Sequence, residues 1–182
     1  MSGGTVRRCA AALAVAALSL GVAAAAVASP AKPRQQAVSL SSLEQGVLAD
    51  INGFRVQHKL ARLRLSASLT TSAREHSREM AAKGYFAHES ADGAAFWKRI
   101  KAVYPQGSWH YWSVGENLLW SSPDIDPQGA LKLWLASPEH RANLMSSAWR
   151  EIGISAVHVA AAPGTYDGQD VTIVTTDFGV RH

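Results

Sequence analysis

The sequence predicts an α+β domain. Four stretches with helical apolar spacing, and a further helix start at Ser137, precede two β-rich runs, EIGISAVHV and VTIVTTDFGV. A turn region containing Pro and Gly separates those runs, which therefore read as a long hairpin. Helices first and strands afterwards give this class its signature, and no internal repeat or low-complexity tract interrupts it after the leader.

Taken in order, residues 1–28 read as a secretion signal. Arg7 and Arg8 open it, an apolar run extends from Cys9 to Ala28, and Ala26-Val27-Ala28 supplies the small-x-small cleavage pattern. The strongly apolar part falls short of the ~20 residues of a membrane span, and no basic stop-transfer flank follows closely. Residues 29–40, with two prolines and little periodicity, read as a flexible lead-in to a domain over 41–182. Ser42 is placed to cap a helix in which Leu43, Val47, Ile51, Phe54 and His58 share helical spacing. A second helix sets Leu69, Ala73, His76 and Met80 on one face and stops at Gly84. A third spans roughly Ala94–Val103, with Asp92-Gly93 as its turn and cap. Next come a turn-rich aromatic loop and a short strand around Asn117–Trp120, and then a helix from Asp126-Pro127 that aims Ala130, Leu131 and Trp134 at the core.

Charge and cysteine content narrow the function classes. The chain has 18 Lys and Arg against 14 Asp and Glu. Loss of Arg7 and Arg8 with the leader leaves 18 less 2, or 16, against 14, which gives no basic footprint for nucleic acid. The single cysteine, Cys9, leaves with the leader, so the exported domain has no disulfide and is held by packing. The expected product is a monomer, secreted or retained on the cell envelope, with no membrane span after cleavage.

Ser137-Pro138-Glu139-His140 fits a helix start, with Ser137 as N-cap, Pro138 at the first helical position and Glu139 in the acidic first turn. The positive end of the helix disfavours an imidazolium at His140, leaving the neutral ring that ligates metals. From this segment alone, a histidine filling a polar niche is the commoner case. His88 follows an aromatic pair just past the second helix, and Glu116 stands beside Gly115, which permits close backbone approach. Site residues are commonly gathered from such element edges. His76, on an apolar stripe, reads as a core or cleft-edge histidine, and His58, His158 and His182 as surface residues. Asp177 invites a buried bonding role near a strand end. Trp109, Trp112 and Trp120 bracket Glu116 as a candidate apolar or sugar-stacking wall, although core packing is the usual fate of tryptophan. Ser90 lies close to His88 but lacks the glycine pattern of a nucleophile elbow.

The ordered set Asn52-x-x-Arg55, Ala73-x-x-His76-Ser77-x-x-Met80, Gly84-Tyr85-Phe86-x-His88-x-Ser90-x-Asp92-Gly93, Gly115-Glu116-Asn117, Ser137-Pro138-x-His140-Arg141-x-Asn143-Leu144-Met145, Glu151-Ile152-Gly153-Ile154 and Thr176-Asp177-Phe178-Gly179 resembles the CAP superfamily of cysteine-rich secretory, antigen-five and pathogenesis-related proteins. It is most similar to the short, disulfide-free bacterial branch. The resemblance implies a three-layer α-β-α sandwich around a small antiparallel sheet, with a central cleft holding two histidines and two acids. His88, Glu116 and His140 match three of those positions. Ser137 stands where the fourth, a glutamate, is expected, and Glu139 is the nearest replacement; Glu139, Ser90 and His76 are thus accessory candidates.

Two imidazoles and one carboxylate make an incomplete ligand set with an open position, which favours zinc among divalent metals. The leading expectation is a secreted binding module whose cleft takes a divalent metal and a small hydrophobic or cell-envelope ligand, such as a lipid. The alternatives are a metal-assisted, peptidase-like hydrolase in which Glu116 activates water, and a structural envelope protein.

Overall fold

The computed structural model describes residues 39–182, so the expected leader and most of the lead-in lie outside the described residues. Helix α1 (Ser42–Gln57) begins one residue earlier than the sequence predicts. Ser41, not Ser42, is its cap, because Glu44 three residues on accepts a hydrogen bond from the Ser41 backbone and completes a capping box. A two-residue strand, β1 (Arg64–Leu65), follows. Helix α2 (Ala67–Lys83) is capped by Ser66 and stopped by Gly84 in the left-handed region at φ 68°. Helix α3 (Phe96–Val103) starts two residues later than expected, and strand β2 (Trp112–Ser121) comes next. Helices α4 (Pro127–Ala136) and α5 (Pro138–Met145) then lead to strands β3 (Glu151–Val159) and β4 (Val171–Arg181).

Strand order is β1-β3-β4-β2. The predicted hairpin is present, with β3 antiparallel to β4 from Glu151 opposite Gly179 to Val159 opposite Val171. On the other side of β4, β2 pairs antiparallel over ten positions, from Trp112 opposite Arg181 to Ser121 opposite Thr172. The short strand expected near Asn117 is thus more than twice as long, because pairing to β4 overrides its mixed composition. The sheet is not wholly antiparallel: β1 adds a parallel edge to β3.

Alternation along β4 separates two faces. Val174, Phe178 and Val180 pack with Val47 and Ile51 of α1, Ala130 and Trp134 of α4 and Leu144 of α5. Val171 and Ile173 point the other way, into a cluster with Met80 and Ala81 of α2, while α3 joins the same layer through Leu69, Ile100 and Tyr104. Helices therefore cover both faces of the sheet, as the resemblance implied. Each fully buried Ile, Leu or Phe contributes roughly 1.5–3 kcal/mol of transfer free energy. Among the described residues there is no cysteine, so this burial takes the place of a disulfide.

Candidate functional site

Strand β2 is a sheet edge, so its two faces open toward different helical layers. Glu116 lies opposite Asp177 in the register and faces the α2 and α3 layer. Gly115 and Asn117 face α5. A β-carbon at Gly115 would stand 2.9 Å from the Trp149 ring and 3.1 Å from the Asn143 amide oxygen, which explains why a glycine precedes the acid. Asn143 Nδ2 donates to the Glu116 carbonyl at 3.1 Å and to Asn117 Oδ1 at 2.8 Å, and Asn117 Nδ2 donates to the His140 carbonyl at 3.0 Å. These bonds tie α5 to the sheet edge. His140 and Asn143 are neighbours on that helix, one turn apart.

Glu116 is almost completely enclosed, its side chain being 1% exposed. Oε1 accepts from His88 Nδ1 at 2.8 Å, and Oε2 accepts from a guanidinium nitrogen of Arg99. Arg99, 9% exposed, also donates to Ser90 Oγ at 3.2 Å and to the His88 carbonyl at 3.4 Å. Ser90 is therefore an anchor for Arg99, with no arrangement for nucleophilic attack. Sequence reasoning missed Arg99, although a signal existed: Phe96, Arg99, Ile100 and Val103 follow the spacing of a buried helical stripe, and a cation on such a stripe requires a partner.

A cleft of about 410 Å³ opens here, lined by His88, Glu89, Phe96, Val114, Gly115, Glu116, Asn143 and Trp149. Its apolar wall is Phe96, Val114 and Trp149, and the candidate tryptophans lie elsewhere. Trp109 is exposed, Trp112 donates its indole N–H to the Tyr104 carbonyl at 2.8 Å, and Trp120 packs edge-on against Tyr166. Trp149 was missed because its segment, between α5 and β3, carries no periodicity. A larger recess of about 460 Å³ between α1 and α4, walled by Phe54, Leu131 and Leu135, contains none of the histidines.

The hydrogen bond to Glu116 raises the His88 pKa above the ordinary histidine value, against the opposing effect of burial. Burial lowers that of His140, and a charge on nearby His88 lowers it further. The direction is the one expected for His140, but the causes are burial first and the His88 charge second, against the opposing charge of Glu139. His76 is fully buried and also lowered by burial; its Nε2 meets the Ala87 carbonyl at 2.9 Å, as befits a core histidine. Glu139 is exposed at the start of α5. Ser137 is the N-cap of α5, as expected, and also the C-cap of α4, and it makes no side-chain cap bond. Asp177 lies inside β4 and is fully buried. Neither of its oxygens makes a hydrogen bond of normal geometry, and burial with Glu116 alongside pushes its pKa well above the usual carboxylate range.

His88 and Glu116 are thus in contact, whereas His140, on α5, does not line the cleft they share, although a charge on His88 still acts on it. Among the described residues, no three His, Cys, Asp or Glu side chains form a group able to hold a metal ion. The three-ligand set expected from the sequence does not fit, since both Glu116 oxygens already have cationic or N–H partners. A neutral His88 with Nδ1–H on Glu116 directs its Nε2 away from the carboxylate, the arrangement in which a carboxylate orients a ligating histidine.

Comparison with known proteins agrees with this architecture. Residues 48–175 match the sequence profile of the cysteine-rich secretory protein family, CAP. The chain is 29% identical over 119 residues to YkwD of Bacillus subtilis, covering 65% of this chain and 44% of that protein. It is 29% identical over 111 residues to the B. subtilis membrane protein YlbC, covering 61% of this chain and 30% of YlbC. The chain therefore spans less than half the length of these relatives. An outer surface protein of Borrelia burgdorferi has a similar fold, with TM-score 0.61 at 21% identity over 80% of this chain and 97% of that one. So does an extracellular protein containing an SCP domain from Bacillus anthracis, with TM-score 0.54 at 24% identity over 78% and 44% of the two chains.

Proposed function

Because the chain belongs to the CAP family of cysteine-rich secretory proteins, we propose that it is an exported binding module whose cleft takes up a divalent transition metal through His88 and His140. The observation that carries this reading is the 2.8 Å bond from His88 Nδ1 to a buried carboxylate, which fixes the ring and its tautomer. Residues that would hold the ion are the two imidazoles, with zinc preferred by donor type. When bound, the ion supplies a Lewis-acid centre at the cleft mouth. Beside it, Phe96, Val114 and Trp149 offer an apolar wall to a small hydrophobic or cell-envelope ligand. The predicted leader supports export, as do the outer-surface and extracellular relatives by their names. No helix among the described residues is long and apolar enough to cross a membrane.

Glu116 is a poor general base in this setting, because one oxygen faces a permanent guanidinium and the other an imidazole N–H. Binding is therefore preferred to hydrolysis. Calorimetric titration of the exported domain with ZnCl2 tests the reading: His88→Ala/His140→Ala is expected to lose at least about tenfold in affinity. Affinity should also weaken on acidification, as protons compete for His88. Equal zinc affinity in wild type and the double variant would end the proposal.

A further inference from the structure

We infer that Arg99 is the specificity-determining residue of the cleft: by holding Glu116 in an internal ion pair, it withholds that carboxylate from any bound cation. This role rests on the reading that His88 and His140 face a metal, and it accounts for why the nearest acid does not join them.

Arg99 reaches the site from α3 on the stripe that also buries Ile100, and its head group is fixed on three partners. One terminal nitrogen bonds the His88 carbonyl and Ser90 Oγ, and the other bonds Glu116 Oε2. A guanidinium stays charged at every accessible pH, so the negative charge of Glu116 is compensated whether or not a cation is present. The remaining oxygen, Oε1, accepts from His88. Asp177, opposite Glu116 in the register, is fully enclosed and does not line the cleft. A dication arriving at His88 thus meets a permanent positive charge and, in Glu116, a carboxylate engaged on both oxygens, while the acid open to it is Glu89 on the exposed rim.

With Arg99 replaced by glutamine, the amide can still bond Ser90 or the His88 carbonyl, but the carboxylate is left enclosed and uncompensated. Such a charge is costly unless paired, and a dication beside His88 supplies the pairing. Arg99→Gln is therefore expected to bind ZnCl2 about tenfold or more tighter than wild type in calorimetry. Zinc should also raise its melting temperature by more than it raises that of wild type. Arg99→Lys keeps a cation at Glu116 and should stay within about threefold of wild type. Adding His88→Ala to Arg99→Gln should abolish the gain.

If Arg99→Gln unfolds without metal, recovery of a native circular dichroism spectrum on adding ZnCl2, but not MgCl2, supports the inference, and failure to recover overturns it. A folded Arg99→Gln that binds zinc no better than wild type also overturns it. A wild type that binds no zinc overturns the binding reading alone; the inference on Arg99 then stands or falls by the gain in Arg99→Gln.

Discussion

His88 holds its proton more tightly than free histidine because its Nδ1–H ends on the Glu116 carboxylate, whereas burial makes His76 and His140 hold theirs less tightly. The stabilisation from His88 is full below the unfolded-chain value of 6.5 and is lost as pH rises through the higher folded value. His88→Gln should therefore melt below wild type by a margin that is widest near pH ~6 and narrows toward pH ~8. Thermal melts across that range would refute the assignment if the margin widened with pH. Asp177 shifts stability in the same direction with pH but for another reason, since burial penalises its ionised form. Its folded value lies above the unfolded 3.8, so wild type loses stability as pH rises from there until the folded value is passed. Asn mimics the neutral acid, and Asp177→Asn is expected to melt at or above wild type at pH ~7; a loss of about 2 kcal/mol or more would mean that an ionised carboxylate is bonded there.

At the level of elements, the close approach of α2 to the sheet is permitted by one residue. A β-carbon on Gly153 of β3 would fall 2.0 Å from the Leu69 carbonyl carbon and 2.2 Å from the Thr70 nitrogen, both main-chain atoms that cannot rotate away. Gly153→Ala should displace α2 and cost at least about 1–3 kcal/mol, read as a lower urea midpoint with an unchanged slope. Because His76 rides on α2 and His88 follows it, the variant should weaken the cleft as well. Elements with a strong local signature were legible in the sequence: α4 begins at the Asp126-Pro127 start, and Asp126 caps the Gly129 N–H at 2.6 Å. Those that depend on partners were not. Nothing local marks Arg64 and Leu65 as a strand, since they pair with Glu151 and Ile152 of the distant β3. The length of β2 likewise comes from β4, whereas Ser137 and Pro138 were legible as the start of α5.

For the molecule as a whole, the layer order followed from the family resemblance, and His88 in a loop and His140 in the first turn of α5 lie at element edges as read, whereas Glu116 stands in the middle of β2. What escaped was the charge state of the site. Arg99 is separated from Glu116 by 17 positions, and no spacing rule links a residue of α3 to an edge strand. Its identity as a neutralising partner emerges only when three elements are packed. The apolar wall shifted for the same reason, from the indoles nearest Glu116 in sequence to Trp149, which tertiary packing brings against Gly115.

Arg55, fully buried on α1, donates to the carbonyls of Leu144 and Ser146, each at 2.9 Å, at the far end of the helix that carries His140. Its eight residues are too few for such a helix to persist alone in water, and it lacks a side-chain bond at its start. Its closing turn is thus completed by a residue 89 positions earlier in the chain. The helix bearing His140 thus borrows its closing bonds from the opening helix, and damage at Arg55 would reach the His140 segment from the other end of the chain.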